Sequence, residues 1–475
     1  MNLSELFGRL TRETLELRSK DELIDLVLAL APLVPRVEAL EREVADLKAR
    51  LGQTSQNSSK PPSSDPPGTA RPPKESSGRK PGGQPGHPGA GRALAAKVDE
   101  VVELKPARCG HCDRSLKGND PAPDRHQVTE LPPVVPRITE YRLHTLVCGN
   151  CGHHTRGTFP DGVSEGCFGP RLMATVGLLT GAYHLSKRTA LEVMEALFGV
   201  KMSLGSVSSC EETVSDALAA VAAEAHQWVQ EQRTAHADET GWRERQRLAW
   251  LWVMATKWVT VFKVHARRNR EAARALLGRF RGVLHSDRWG AYNIYKGVRQ
   301  LCWAHLLRDF TAMSETGGRA GKIGRRLLRR GKRVLKRWAN VRDGTWSRRK
   351  FFEATANLRG NLERDLAAGA ACGHAKTERT CRRILKFTDA LWTFARVRGV
   401  EPTNNTAERA IRPAVLWRKR SFGTHSERGS RFAERMLTTF MTLRQQKRPV
   451  VDYVREACQS FLQGRRVPSL LPISE

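Results

Sequence analysis

A segment rich in proline, glycine and serine interrupts this chain near its start, at residues 52–96. The segment has almost no apolar side chains, so it cannot bury enough surface to offset the entropy lost on ordering. We therefore expect a disordered, basic linker there, with separately folded parts on either side of it. A length of 475 residues also exceeds one ordinary domain, and about two to four domains are expected.

The charge of the chain is strongly unbalanced, with 80 Lys and Arg against 49 Asp and Glu and a formal net charge of +31. Such an excess predicts a polyanionic partner, with nucleic acid as the first candidate and an anionic membrane surface as the second. No run of about 18 apolar residues is present, which argues against a membrane span. The N-terminus lacks the features of a signal peptide, so we expect a cytoplasmic protein with reduced cysteines.

The head of the chain, residues 1–51, has the apolar spacing of helices. From Val37 the apolar residues follow a heptad pattern with charges between them, at Val37, Leu40, Val44, Leu47 and Leu51. Two heptads are too few to decide between a coiled coil that joins two copies of the chain and a helix that packs on its own protein.

Two cysteine pairs of identical spacing define the next part, residues 97–165. Cys109 and Cys112 form one C-x2-C motif, and Cys148 and Cys151 form another after a gap of 35 residues. Four thiolates suit a tetrahedral Zn²⁺ ion, and we expect a structural zinc ribbon whose gap is filled by two strands. A redox motif would need one pair alone.

Residues 166–232 read as all-helical. Ser186 and Ser203 are placed as helix N-caps, and Gly199 lies in the turn between two helices. The pattern is typical of a DNA-reading helix-turn-helix. Helix pairs joined by a glycine turn are also common in proteins that do not read DNA, and a scaffold that docks the zinc ribbon on the next domain is the alternative; both interpretations stay open.

Residues 233–314 change to an α/β pattern. Three strands in an antiparallel meander precede a helix, a short buried strand that ends at Asp287, a helix that starts at about Trp289, a further strand and a final helix. Asp238 and Glu239 adjoin on the first strand. Because neighbours on a strand point to opposite faces, only one of these two acids can face a shared site.

The last part of the chain divides into a basic insertion at residues 315–400, a segment at 401–446 with Glu408 near a helix start, and a C-terminal helix and tail at 447–475. Positive charge is almost unrelieved from Arg319 to Lys350, while apolar residues recur at helical spacing. Phosphate contact by this helix is favoured over a merely solvated face, and four arginines are the candidates: Arg325, Arg326, Arg329 and Arg330.

Four sequence segments resemble the DDE transposases of bacterial insertion sequences, and the insertion sequence 66 family most closely. They are HADETGWR at 236–243, LHSDRWGAY at 284–292, CWAHLLRDF at 302–310 and NNTAERAIRP at 404–413. Their joint order, together with the linker and the zinc motif, extends the resemblance over nearly the whole chain.

The resemblance implies a multidomain α+β protein with a ribonuclease-H-like catalytic core, in which the strands of Asp238 and Asp287 are neighbours. It also implies that Asp238, Asp287 and Glu408 hold two Mg²⁺ or Mn²⁺ ions for phosphodiester hydrolysis and strand transfer. His305 and Asp309 either assist that site or bond each other. Further cations are implied to hold phosphates near the scissile bond: Arg409, Arg412, Arg418, Lys419 and Arg420.

The same resemblance implies the partners: terminal inverted repeats and target DNA, a second copy of the chain and small accessory proteins of the same element, all in the bacterial cytoplasm or nucleoid. Two other functions are alternatives: a zinc-containing DNA-binding regulator with an inactive nuclease fold, and a ribonuclease-H-like nuclease or resolvase. Carboxylates at all three positions argue against the regulator, and the long insertion and N-terminal modules argue against the resolvase.

Overall fold

The structure is a computed structural model, and it describes residues 11–51, 92–161, 163 and 166–472. Most of the expected linker at 52–96 therefore lies outside the described residues. The chain forms two compact units, which are described separately. The first comprises residues 1–71, 283–289 and 297–404, and the second comprises residues 72–282, 290–296 and 405–475.

The regular elements of the described residues mix helices, which predominate, with short strands. The helices are α1 Arg12–Glu16, α2 Lys20–Leu30, α3 Leu33–Leu51, α4 Pro170–Gly181, α5 Lys187–Phe198, α6 Leu204–Ala217, α7 Ala219–Gln230, α8 Arg270–Leu277, α9 Trp303–Ser314, α10 Gly318–Arg342, α11 Arg348–Ala354, α12 Ala356–Gly369, α13 Ala375–Leu385, α14 Thr393–Arg396, α15 Asn405–Ser421, α16 Glu427–Gln445 and α17 Val450–Leu462. The strands are β1 Thr145–Val147, β2 His154–Arg156, β3 Thr234–Glu244, β4 Arg247–Ala255, β5 Thr260–His265, β6 Val283–Ser286 and β7 Arg299–Leu301. Within these described elements, no helix has the length and apolar character that crossing a membrane requires.

The second unit contains the expected antiparallel meander. Strand β4 pairs with β3 on one side and with β5 on the other, and Asp238 lies opposite Val253. Every residue from Leu251 to Ala255 of β4 is buried, so both faces of this strand are covered. Helices α15 and α16 belong to the same unit and pack on β3 and β5 respectively.

Side chains of α16 close the outer edge of β5. The backbone N–H groups of Thr260, Phe262 and Val264 donate to Thr442 Oγ1, Thr438 Oγ1 and Glu434 Oε1 at 3.1, 3.0 and 2.5 Å. Alternate residues of a strand are about 6.6 Å apart, and residues four apart on a helix are about 6 Å apart. The spacing of the N–H donors on β5 therefore matches the spacing of the acceptor side chains on α16. An edge that would otherwise present unpaired donors is thereby satisfied.

The second unit also contains helices α4, α5, α6, α7, α8 and α17. The expected caps are confirmed, since Ser186 and Ser203 each accept a hydrogen bond from a backbone N–H in the first turn of α5 and α6. Gly199 ends α5 with φ of 63°, the left-handed conformation that glycine adopts without strain.

Of the two strands expected between the cysteine pairs, only one forms in the described residues: β1, at the end of that gap. In the described residues, β1 and β2 pair antiparallel around Cys148 and Cys151, and residues 128–144 form no strand. Prolines at 132, 133 and 136 explain the difference, because proline has no N–H to donate to a strand ladder. A second departure is at Trp289, where the expected helix is only a 3₁₀ turn at Gly290–Ile294.

The first unit joins a short parallel pair to the helical insertion. Strands β6 and β7 pair in parallel with Leu284 opposite Arg299. Helices α9 to α14 share an aromatic core in which the rings of Trp338 and Phe394 meet edge to face at 4.7 Å. The expected basic helix is confirmed as α10, and its buried stripe includes Ile323, Leu327 and Val334.

Candidate active site and nucleic-acid contacts

Asp238 lies half-buried in the middle of β3, where its Oδ1 accepts a hydrogen bond from the backbone N–H of Glu239 at 2.9 Å. Its neighbour Glu239 has a side chain only 1% exposed. Two groups of the same unit engage the Glu239 carboxylate: Arg268 donates to Oε1 at 2.6 Å and Tyr292 donates to Oε2 at 2.5 Å. Glu239 is thus part of a buried ion pair, whereas Asp238 projects from the opposite face of the strand.

Asp287 directly follows β6 in the first unit. Its Oδ1 accepts from the backbone N–H of Trp289 at 2.8 Å, and among the described residues no Lys or Arg forms an ion pair with it. The buried guanidinium of Arg299, on β7, donates to the Asp287 carbonyl at 3.1 Å and to Ser286 Oγ at 2.9 Å. The backbone that presents the Asp287 carboxylate is therefore held in place.

Glu408 lies half-buried in the first turn of α15, between the buried residues Ala407 and Ile411. Helix α15 is fixed to β3 within the second unit. The rings of Trp417 and Trp242 meet edge to face at 5.6 Å, and beyond the helix Thr424 N–H donates to Arg243 O at 2.9 Å. The structure thus packs the element of Glu408 on the element of Asp238.

The segment that leads into α15 is anchored inside the first unit. Trp303 N–H donates to Pro402 O at 2.9 Å, and Asn404 N–H donates to the buried Cys302 Sγ at 3.2 Å. The indole N–H of Trp338, from the basic helix, donates to Glu401 at 3.0 Å. The insertion therefore holds the backbone of residues 401–404 within the first unit.

His305 and Asp309 were expected either to bond each other or to support the site. The two side chains do not bond each other. Asp309 accepts from Arg288 Nε at 3.1 Å, and His305 Nε2 lies 3.0 Å from a guanidinium nitrogen of Arg308. Arg288 directly follows Asp287, so its bond to Asp309 attaches this part of the chain to α9.

The nine candidate DNA-contacting cations differ in what surrounds them. Arg326 and Arg330 pair with Asp365 at 2.8 and 2.7 Å, and Arg418 is half-buried with no hydrogen-bond partner for its Nε among the described residues. The other six side chains are exposed: Arg325, Arg329, Arg409, Arg412, Lys419 and Arg420.

The two cysteine pairs adopt the same local structure, each at the tip of a small hairpin. Asp113 N–H donates to Cys109 O at 3.0 Å and Gly152 N–H donates to Cys148 O at 2.8 Å, and both donors have positive φ. Backbone amides of His111 and Cys112 lower the pKa of the Cys109 thiol, and amides of Cys151 and Asn150 lower that of Cys148.

Amides aimed at sulfur stabilise thiolates, which are the form that binds zinc, so each pair fits half of a zinc site. Cys109 lies close to Cys112, and Cys148 lies close to Cys151. Across the described residues, none of these four cysteines belongs to a group of three or more possible metal ligands within 4.8 Å.

Helix α6, the second helix of the expected helix-turn-helix, uses its acids inside its own unit. Glu211 pairs with Lys187 at 2.8 Å, Glu212 with Arg428 at 2.8 Å and Asp216 with Arg435 at 3.1 Å. Three carboxylates on one helix oppose phosphate contact, and their partners lie on α5 and α16. These contacts give α6 a packing role inside its own unit.

Four residues around the two aspartates were not predicted from the sequence. Arg268 and Tyr292 bind Glu239, the neighbour of Asp238. Arg288 follows Asp287 and binds Asp309, and Arg299 binds the Asp287 carbonyl. Arg299 gave a signal, since an arginine inside a short strand is unusual unless it has a partner. Arg268 and Tyr292 gave none, because their shared partner Glu239 lies 29 and 53 residues away.

Comparisons with known proteins follow the same segments. A family model described as Transposase IS66 family matches residues 165–432. A second model, a family of unknown function, matches residues 12–93. The uncharacterized protein y4qI of Sinorhizobium fredii is 26% identical over 257 residues, which are 47% of this chain and 46% of that protein. The match thus spans about half the length of that relative.

Proposed function

Because the chain belongs to the IS66 transposase family, whose model matches more than half of its length, we propose that it is the DNA transposase of an insertion sequence. Its reaction is metal-dependent hydrolysis of a phosphodiester at the ends of the element, which exposes a 3′-OH. That 3′-OH then attacks a phosphodiester of the target DNA, so that a new phosphodiester joins element and target and a target 3′-OH is released. The catalytic fold is ribonuclease-H-like, and the observation that supports it most is the packing of the Glu408 helix on the Asp238 strand.

Asp238, Asp287 and Glu408 are the proposed ligands of two Mg²⁺ or Mn²⁺ ions. The donor set fits, because carboxylate oxygens are the hard ligands these ions prefer. Glu239 is a poor competitor, since Arg268 and Tyr292 engage both of its oxygens. When bound, the ions neutralise charge at the phosphate and activate the attacking oxygen.

The chain itself positions the substrate. Arg409, Arg412, Lys419 and Arg420 are exposed on the Glu408 helix and would bind phosphates that flank the scissile bond. Arg418 lies close to β3, with a guanidinium nitrogen 3.3 Å from where a Cβ on Gly241 would be, three residues beyond Asp238. Asp309 and Arg299 orient the surroundings of Asp287 and are positioning residues.

A structural Zn²⁺ ion held by Cys109, Cys112, Cys148 and Cys151 completes the proposal. The ion would link the two hairpins. The turns that carry the two cysteine pairs already have the same conformation. DNA carrying the terminal inverted repeats, target DNA, a second copy of the chain and accessory proteins of the element are the proposed partners.

The assignment is tested with Asp238→Asn and Asp238→Ala on a labelled duplex that carries the ends of the element, with Mg²⁺ or Mn²⁺. We expect both variants to lose nicking and joining by at least about a thousandfold, because a carboxylate ligand is removed while the shape of the strand is kept. Binding of the same duplex in EDTA should be unchanged, which shows that the variants are folded. Full activity of either variant would refute the assignment.

A further inference from the structure

Helix α10 carries an unbroken stripe of exposed cations. Lys322, Arg325, Arg329, Lys332 and Lys336 are spaced by three and four residues in alternation, so they lie on one face of the helix, and all five are exposed. The helix has no acidic residue over its 25 positions. We name these five residues the α10 ridge.

The opposite face of α10 is fixed to the protein at close range. Gly324 and Gly331 abut α9 so closely that an added Cβ would lie 2.4 Å from the backbone of Met313 and 2.6 Å from Leu307. Because the apolar stripe of α10 is used in this packing, the helix cannot insert that stripe into a membrane surface. The ridge is therefore a rigid row of charges directed at solvent.

Two neighbouring arginines do not belong to the ridge. Arg326 and Arg330 share the carboxylate of Asp365, whose side chain is only 10% exposed. They hold α12 against α10, and their charge is partly neutralised inside the unit. The separation of the two sets explains how so basic a helix folds: its inner cations have a counter-charge, and its outer cations face water.

We propose that the α10 ridge binds the phosphate backbone of duplex DNA without reading its sequence, outside the segment where the chemistry occurs. The inference rests on the proposed function and names a part of its substrate surface. From Lys322 to Lys336 the ridge extends about 21 Å. One strand of a duplex presents roughly six phosphates over that axial distance, close to the number of ridge cations. Lys322, Arg325 and Arg329 also line an open groove, which gives the backbone a place to lie.

The experiment measures binding of the full chain to a fluorescent duplex of arbitrary sequence in EDTA, over a range of salt concentrations. The variant Lys322→Gln/Arg325→Gln/Arg329→Gln should lower the slope of log K against log salt by about 2 to 3, because each lost phosphate contact removes about 0.9. At moderate salt its affinity should fall by roughly tenfold or more. The matched control Arg12→Gln/Arg18→Gln/Lys20→Gln removes the same charge from exposed residues of the head and should leave the slope unchanged.

Equal losses in the two triple variants would show an effect of net charge alone and would overturn the inference. An unchanged slope in the ridge variant would overturn it as well, as would a loss confined to an RNA duplex of the same length. Cleavage by Asp238→Asn is measured separately as the test of the proposed chemistry. Failure of that variant to lose cleavage would count against the proposed chemistry and leave the ridge unaffected.

Discussion

At the scale of single residues, Asp238 and Glu239 show how two adjacent acids acquire different roles. Successive residues of a strand point to opposite faces of the sheet, so the two carboxylates lie in different surroundings. Glu239 accepts hydrogen bonds from the guanidinium of Arg268 and the phenol of Tyr292, and these contacts give it a structural role. Asp238 is left on the face that α15 covers.

The two acids therefore predict opposite effects on stability. Glu239→Gln should lower the free energy of unfolding by about 2 kcal/mol or more, because Arg268 and Tyr292 would lose a charged acceptor in a site that water hardly reaches. Asp238→Asn should leave the melting temperature equal or slightly higher. Thermal unfolding of both variants checks this, and a larger loss for Asp238→Asn would contradict the division of roles.

The cysteine pairs predict a pH-dependent metal site. Purified protein should contain about one Zn²⁺ per chain, and the double variant Cys109→Ser/Cys148→Ser should contain none by metal analysis. Since the lowered pKa of Cys109 and Cys148 keeps these thiols ionised further into acid, zinc should be released at a lower pH than from ordinary thiols. Undiminished zinc in the double variant would rule out the ribbon.

Much of this residue-level detail could not be predicted from the sequence. The three segments with Asp238, Asp287 and Glu408 could be recognised because each is a short, contiguous sequence motif. Asp365 was not found, because the arginines that it pairs with lie 35 and 39 residues away and nothing local marks it. Long-range pairs of this kind depend on packing, which a linear pattern does not contain.

At the scale of elements, local patterns predicted most helices and strands. The meander, the caps of α5 and α6 and the amphipathic α10 follow from periodicity and from single capping residues. Of the two strands expected between the cysteine pairs, only β1 at Thr145–Val147 forms, because prolines interrupt the apolar β-branched residues before it. In that segment the missing N–H groups decide the outcome.

The attachment of α15 to β3 predicts an effect of one glycine. Gly423 has φ of 144°, and a Cβ there would lie 2.2 Å from Arg243 O. Gly423→Ala should therefore break the pairing of Thr424 with Arg243 and cost roughly 2 to 4 kcal/mol of stability. Gly429→Ala, at a helical position with contacts no closer than 3.4 Å, is the matched control and should be nearly neutral in the same unfolding measurement.

At the scale of the whole molecule, the head is the part of the chain on which the proposed pairing of two copies can be tested. Val37, Leu40, Val44 and Leu47 of α3 are each about half exposed. Valine at the a positions with leucine at d favours a parallel two-stranded coiled coil. In that arrangement Arg36 faces Glu41 of the second copy and Glu43 faces Lys48, so both contacts pair opposite charges.

This geometry predicts the result of a charge exchange. Glu41→Lys/Lys48→Glu keeps the net charge but places like charges opposite each other in the parallel dimer, which should weaken dimerisation of the full chain by about tenfold. Light scattering across a dilution series measures the effect. Adding Arg36→Glu/Glu43→Lys should restore the dimer. An antiparallel pair would keep its complementarity in the first variant, and unchanged dimerisation there would contradict the parallel arrangement.

The ladder of Thr442, Thr438 and Glu434 along β5 has a consequence for how copies of this chain can associate. A strand whose outward donors are already bound to a helix offers no template to a strand from another molecule. That edge is closed to sheet extension, both in productive assembly and in aggregation. Replacing the three side chains would reopen it, and the chain would then gain a route to fibrous association that its present sequence blocks.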